Sequence, residues 1–314
     1  MDYKPLSGRE FPRFSGIKTF FRLPYVDVNA GYEVGICGIP FDGGVSYRPG
    51  ARFAPSKVRE ISSLGRVYHW SRAVSFIEKL KVADIGDCPV VPIDLQKTYE
   101  RIQKFYAHAY SQNKKLIAIG GDHSITLPIL REVKKKYGKA IRLVHFDAHL
   151  DTYPAAWEIE YHHGSFLRHA IEEGLVDAPK SLHIGIRGPL AGSDDLEAIK
   201  KYKMNVITID DIRGDTLKNI CSRLPDFGSD PTYISFDIDG LDPAYAPGTG
   251  TPVVGGMTTY ETQQILRALK IRNLVGADIV EVSPPFDHSD ITALAALDTL
   301  FEMICIFAQG ESQS

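Results

Sequence analysis

Short apolar runs rich in β-branched residues alternate with amphipathic stretches along almost the whole chain. Near-continuous apolar runs are typical of strands that are buried on both faces, as in a parallel sheet. The amphipathic stretches, with apolar residues at helical spacing, predict helices over residues 95–111, 125–137, 194–203, 258–269 and 292–307. The apolar runs predict about eight strands, over residues 34–39, 82–85, 116–119, 142–146, 182–186, 206–209, 233–238 and 276–280.

This β-α-β-α order predicts a single α/β domain, residues 1–314, built on a mostly parallel sheet. Eight βα units form either an open sheet or a closed barrel, and periodicity does not choose between them. In both architectures, ligands bind beyond the carboxyl ends of the strands. Residues 1–30 are interpreted as an irregular arm, and residues 242–256, rich in proline and glycine, as a long ordered loop.

Composition narrows the possible partners. The 36 basic and 39 acidic residues give a formal charge of −3, which argues against a nucleic-acid or membrane-surface protein. We identify no stretch of about 18 uncharged apolar residues that would span a bilayer. The four cysteines form no C-x-x-C pair, which suits reduced thiols in a cytoplasmic protein.

Three motifs with acidic residues and histidines begin where predicted strands end. They are Gly-Gly-Asp-His-Ser at 120–124, Asp-Ala-His-Leu-Asp at 147–151 and Asp-Ile-Asp-Gly-Leu-Asp at 237–242. Alternate residues of an extended chain share a face, so we expect Asp147, His149 and Asp151 to point the same way, and Asp237 to point with Asp239. Five of the ten histidines also lie between residues 123 and 163.

Two imidazoles and four carboxylates at one end of a sheet would suit a pair of divalent metals. Nitrogen and oxygen donors without thiolate favour manganese or a neighbouring transition ion, and a carboxylate can bridge two ions. Taken alone, the first motif is better explained by a tight turn with a capping aspartate and a packed histidine. A calcium loop does not explain the third, because Gly248 stands where an EF-hand needs glutamate.

Two further residues are candidates for the same rim. His163 lies on a predicted loop that could carry an unligated histidine over the metals, and a solvated loop histidine is the alternative. Glu281 ends a predicted strand, and a salt bridge to a surface cation is its alternative explanation.

These motifs resemble those of the ureohydrolase (arginase/agmatinase) family. The resemblance covers nearly the whole chain, from the Gly-Ile-Pro-Phe-Asp segment at 38–42 to Glu281 and the helix after it. It implies a three-layer α/β/α sandwich around an eight-stranded, mostly parallel sheet. It also implies hydrolysis of a guanidino group to urea and an amine by two Mn²⁺ ions, with Ni²⁺ as the alternative. One ion would be held by His123, Asp147, Asp151 and Asp237, and the other by Asp147, His149, Asp237 and Asp239.

The resemblance also implies roles for the remaining residues. A hydroxide bridging the metals would attack the guanidinium carbon, Asp151 and His163 would protonate the leaving amine, and Glu281 would contact the substrate. Tyr153 stands where arginases carry an asparagine, which favours the agmatinase-like branch and makes this tyrosine a candidate substrate contact.

The substrate expected from this branch is agmatine, yielding putrescine. The alternatives within the family are guanidinobutyrate, guanidinopropionate and guanidine. A zinc deacetylase would need only one metal, and an inactive paralogue acting as a subunit or regulator would usually lack a ligand. We further expect a homotrimer or homohexamer.

Overall fold

The computed structural model describes residues 3–190 and 192–310, and its centre is one sheet of eight parallel strands. Four further short strands lie outside this sheet as two small pairs. The order across the main sheet is β4-β1-β5-β12-β10-β6-β7-β8. The strands are β1 Val34–Gly38, β2 Tyr68–His69, β3 Val74–Ser75, β4 Val82–Asp87, β5 Lys115–Ile119, β6 Arg142–Phe146, β7 Leu182–Ile186, β8 Val206–Thr208, β9 Asp226–Gly228, β10 Thr232–Asp237, β11 Lys270–Ile271 and β12 Leu274–Val280.

Helices cover both faces of the sheet. Because strand side chains alternate between faces, Leu116 and Ala118 of β5 pack into one hydrophobic cluster, and Ile117 and Ile119 pack into another. The first cluster contains the inner faces of α3, α4 and α5, and the second those of α1, α9 and α10. The helices are α1 Ala54–Ser62, α2 Phe76–Lys79, α3 Leu95–Ser111, α4 Thr126–Tyr137, α5 Phe166–Glu172, α6 Asp194–Tyr202, α7 Ile209–Arg213, α8 Leu217–Arg223, α9 Thr259–Ala268 and α10 Ile291–Gly310.

The predicted three-layer α/β/α sandwich is confirmed, and the sheet is open rather than closed into a barrel. Each of the eight predicted strands is a strand of the main sheet, and each predicted helix is present within three residues at either end. The sequence interpretation missed α1, α5 and the short helices α2, α7 and α8. Short helices give few turns over which an apolar period can be recognised.

The two segments predicted to lack regular structure, residues 1–30 and 242–256, largely do so in their described parts. Within residues 3–30, the regular structure is a single 3₁₀ turn, Phe20–Arg22, and an isolated bridge at Tyr25; residues 1 and 2 lie outside the described part. Residues 242–256 contain turns and bends but no helix or strand. Asp242 stabilises this loop, because its carboxylate accepts the backbone N–H groups of Gly255 and Gly256 at 2.6 and 2.8 Å.

The C-terminal helix α10 is long and apolar enough to cross a membrane by length and composition. It carries Asp298 and Glu302, so it does not contradict the expectation that the sequence contains no uncharged apolar stretch of that length. In the fold, however, 78% of its most apolar window is buried, and it packs against α1, α9 and β12. Its buried Glu302 contacts His69 and Arg267. A helix that is apolar on nearly all sides is also what a position in the protein core requires.

Candidate metal centre and active site

The three motifs and Glu281 follow four strands that are neighbours in the sheet, in the order β5, β12, β10, β6. Gly120 follows β5, Glu281 follows β12, Asp237 ends β10 and Asp147 follows β6. Because all four strands are parallel, their carboxyl ends meet at one edge. The fold therefore brings together His123 and Glu281, which are 158 positions apart in the chain.

In the two aspartate motifs, which begin at Asp147 and Asp237, the side chains converge because the backbone turns after the strand. The extended backbone that we expected for these motifs is wrong. The chain bends directly after Asp147, whose Oδ1 accepts the N–H of His149, and Asp151 has a left-handed φ of 53°. After Asp237 comes the 3₁₀ turn Ile238–Gly240, and the Asp237 side chain accepts the N–H of Asp239 at 2.8 Å. A carboxylate at the end of a strand can accept a hydrogen bond from the backbone N–H two residues later. This contact favours a turn, so the alternation of side chains along an extended strand does not continue past the aspartate.

His123 lies at the centre of the first donor set. Its Nδ1 is 3.2 Å from Asp147 Oδ2, 3.0 Å from Asp151 Oδ2 and 3.1 Å from Asp237 Oδ2. On the other side of the ring, Nε2 contacts Ser235 Oγ at 2.9 Å. One nitrogen therefore faces three carboxylates while the other is held by the protein.

His149 lies at the centre of the second set. Its Nδ1 is 3.3 Å from Asp147 Oδ1 and 3.2 Å from Asp239 Oδ2. Asp147 thus directs one carboxylate oxygen to each histidine, as a group that bridges two ions would. All six predicted metal-site residues lie within these two sets, since Asp237 joins the first through its Oδ2.

The donor chemistry fits a pair of divalent cations. His123 Nδ1 is completely buried and makes no hydrogen bond of acceptable geometry, although three carboxylate oxygens surround it. Burial, together with the charges of Asp239 and Asp147, raises the pKa of Asp237 well above its usual value. Such a concentration of buried carboxylates needs positive charge nearby, and two dications would supply it.

His163 and Glu281 form a pair beside these donors. Their contact is 3.0 Å from His163 Nδ1 to Glu281 Oε1, and the same oxygen accepts the backbone N–H of His123 at 2.9 Å. Burial disfavours the charged imidazole, but the charge and hydrogen bond of Glu281 outweigh it and raise the pKa of His163 to about 9. Glu281 is therefore not a surface salt-bridge residue. Its second oxygen, Oε2, is buried and has no hydrogen-bond partner.

Two of these residues have strained backbones. Asp151 and Glu281 have φ values of 53° and 62°, in the left-handed region that side chains other than glycine rarely adopt. Glu281 is held there by its N–H, which donates to the carbonyl of Gly121 at 2.9 Å. Strain of this kind is concentrated at functional sites, where the surrounding structure maintains it.

A cavity of about 530 Å³ opens above the donor sets. His149, Asp151, Asp237 and His163 line its inner end. Tyr153 also lines this cavity, and burial raises the pKa of its phenol to about 12. The outer end is formed by the segment 154–157 and by the start of α6, including Asp194 and Asp195.

Sequence interpretation missed residues that support the donors from behind. His145, for which no role was expected, donates from Nε2 to Asp147 Oδ2 at 2.9 Å. Asp278 accepts the Ser235 hydroxyl at 2.6 Å, and so supports the residue that holds His123. His145 lies in β6 two positions before Asp147, and Asp278 lies in β12 three positions before Glu281; this spacing was the available signal.

Comparison with known proteins agrees with this geometry. Residues 32–305 match the Arginase family. The chain is 42% identical over 313 residues to guanidinopropionase from Pseudomonas aeruginosa, covering 99% of this chain and 98% of that protein. It is 39% identical over 300 residues to agmatinase from Cronobacter sakazakii, covering 94% of each. The structure of proclavaminate amidinohydrolase from Streptomyces clavuligerus superposes with a TM-score of 0.88 at 37% identity, covering 96% of this chain and all of that one.

Enzymes of this family depend on two metal ions, and the site offers two sets of histidine and aspartate donors that share Asp147. The extent of the match, the fold and the donor geometry lead to the same conclusion. The chain belongs to the arginase family and is an amidinohydrolase that acts on guanidino compounds.

Proposed function

We propose that the substrate is agmatine, which the enzyme hydrolyses to putrescine and urea. The observation that carries this proposal is the charge of the cavity. Among the described residues that line it, four are aspartates and none is lysine or arginine. Agmatine has a cation at each end, so an acidic cavity attracts both its guanidinium group and its amine.

The outer aspartates are placed to bind the amine. Asp194 is exposed at the start of α6, and the adjacent Asp195 is buried against the cavity. Burial, with the charge of Asp194, raises the pKa of Asp195. A bound ammonium group would favour the ionised form of Asp195 and form charge-assisted hydrogen bonds with it.

At the inner end, we assign His123, Asp147, Asp151 and Asp237 to one metal ion and Asp147, His149, Asp237 and Asp239 to the other. Asp147 and Asp237 would be shared. Manganese suits this donor set, and nickel is the alternative. When bound, the two ions supply Lewis acidity that activates water for attack on the guanidinium carbon, a poor electrophile because its charge is delocalised.

The chain's own residues orient the substrate and provide the proton. Glu281 Oε2, which has no partner, accepts a guanidinium N–H. His163 lies against the same carboxylate and lines the cavity, so it can hold the proton that the leaving amine needs. Asp151 lines the cavity beside His123 and assists that transfer. Protonation of the leaving nitrogen allows an alkylamine to depart.

A urea-release screen tests this proposal. Protein loaded with Mn²⁺ or with Ni²⁺ is assayed with agmatine, guanidinobutyrate, guanidinopropionate, arginine and guanidine. We expect the highest kcat/KM with agmatine and Mn²⁺. A higher kcat/KM with a guanidino acid would overturn the substrate assignment while leaving the hydrolase in place.

Guanidino acids are the second candidate, because the relatives include a guanidinopropionase and a guanidinobutyrase at 42% and 38% identity. Their carboxylate would normally require a cation at the outer end of the cavity. The described lining offers only neutral donors there, such as Tyr153 and His162.

We also propose that the protein is a homotrimer or homohexamer and that it is cytoplasmic. Size-exclusion chromatography with light scattering tests the oligomeric state, and cell fractionation tests the location.

A further inference from the structure

The loop between β1 and α1 holds Ser46 against His163. On one side of Ser46, the N–H of Gly44 donates to Asp122 Oδ2 at 2.7 Å, and the carbonyl of Gly44 accepts the N–H of His163 at 3.0 Å. On the other side, the N–H of Gly50 donates to Asp42 Oδ2 at 2.7 Å. Ser46 is exposed and lines the cavity, yet anchors on both sides fix its position.

Two groups of Ser46, its backbone N–H and its hydroxyl, contact the same nitrogen of the His163 ring. The backbone N–H of Ser46 donates to His163 Nε2 at 3.2 Å, and the hydroxyl oxygen is 2.8 Å from that nitrogen. The opposite nitrogen, Nδ1, contacts Glu281 Oε1 at 3.0 Å. The ring is therefore held at both nitrogens, by Glu281 on the inner side and by Ser46 on the cavity side.

These contacts favour different protonation states. The carboxylates of Glu281, Asp122 and Asp151 favour the charged imidazole, whereas the Ser46 amide can only donate and so favours an unprotonated Nε2. A hydroxyl can both donate and accept. The Ser46 hydroxyl alone among these groups can keep a hydrogen bond to Nε2 in both states of the ring.

We propose that Ser46 is a positioning residue that keeps His163 aligned in both protonation states and relays its proton to and from the cavity. In the outward step, Nε2–H passes its proton to Ser46 Oγ while Oγ–H passes its own proton to a water in the cavity. The imidazole becomes neutral, the serine is again a hydroxyl, and the water gains one proton. The reverse step recharges His163 after each turnover. This inference rests on the proposed catalytic role of His163.

The kinetic test compares Ser46→Ala, which removes the hydroxyl, with Ser46→Thr, which retains it. The matched control is Tyr47→Phe, which removes a hydroxyl from the exposed neighbouring residue on the same loop. We expect Ser46→Ala to lower kcat about 10-fold, to leave KM within about twofold, and to alter the pH profile of kcat. Ser46→Thr should recover most of kcat, and Tyr47→Phe should match the wild type.

A second measurement does not depend on turnover. In ¹⁵N-histidine-labelled protein prepared without metal, we expect Ser46→Ala to shift and broaden the His163 ring resonances, and Ser46→Thr to restore them. A wild-type kcat and pH profile in Ser46→Ala would overturn the proposal, as would a rise in KM alone, which would make Ser46 a substrate contact. If the wild type releases no urea from any compound, the proposed function fails, and the resonances still show whether Ser46 positions the ring.

Discussion

The inner floor of the cavity and its outer wall are built in different ways. The inner floor, which comprises His123, Asp147, His149, Asp151, Asp237 and Asp239, lies at the ends of buried strands and is held by contacts among its own members. The outer wall, which comprises Tyr153, Trp157, Asp194 and Asp195, lies on loops and a helix start, and Trp157 is 75% exposed. A rigid floor can serve one reaction while the wall varies with the substrate. Such a division would allow relatives at 38 to 42% identity to act on the different guanidino compounds for which they are named.

The largest effect is expected on the floor. Asp237→Ala removes a carboxylate from the His123 donor set and leaves the strand backbone of β10 intact. We expect at least a roughly 1000-fold loss of kcat/KM, a bound-metal content below that of the wild type, and a native circular dichroism spectrum. Glu100→Ala, an exposed change on α3, is the control. Retained turnover in Asp237→Ala would show that this motif is not part of the centre.

Glu281→Gln tests the link between the floor and the substrate. The change keeps the shape of the side chain but removes the charge that faces His163 and that we propose binds the guanidinium group. We expect kcat/KM to fall about 100-fold, with most of the metal retained, because no floor carboxylate changes. Steady-state kinetics and metal analysis on the same sample check this. An equal loss of metal and activity would instead place Glu281 among the ligands.

The sequence predicted the floor better than the wall. Each strand-end motif could be recognised locally, because an apolar run that ends in Asp147 or Asp237 shows both the strand and its terminus. The strand order could not be predicted, since it depends on packing between segments that are far apart in the chain. The sequence placed His163 and Glu281 on the same rim, but without the strand order their direct contact, and the contact of His163 with Ser46, could not be predicted.

The residues of the outer wall were harder to predict from the sequence, for a physical reason. Asp194 and Asp195 look like an ordinary acidic first turn of α6, which the helix dipole alone would explain. Only the fold shows that this turn faces the same cavity as Tyr153. Loop residues carry no periodicity that indicates the direction of a side chain, so specificity residues on loops remain hidden in a single sequence.

Asp195→Asn tests the wall. If Asp195 binds the amine of agmatine, the variant should raise KM for agmatine about 10-fold and change kcat little, because the floor is untouched. For guanidinopropionate, KM should stay the same or fall, since a negative charge near its carboxylate is removed. The matched control is Asp210→Asn, on α7 outside this cavity. A rise in KM of the same size for both substrates would mean that Asp195 maintains the structure of the wall and does not distinguish an amine from a carboxylate on the substrate.

The smallest effect concerns the stability of the protein prepared without metal. The pKa of His163 is raised to about 9 in the fold, from about 6.5 in an unfolded chain. A raised histidine pKa contributes stability that is fully present below about pH 6.5 and is lost as pH rises through about 9. Urea unfolding of the metal-free wild type should therefore lose part of its free energy across that window. In Glu281→Gln this loss should be smaller, because the charge that opposes the burial penalty on His163 is gone. Parallel curves for the two proteins between pH 6.5 and 9 would show that Glu281 does not set the protonation of His163.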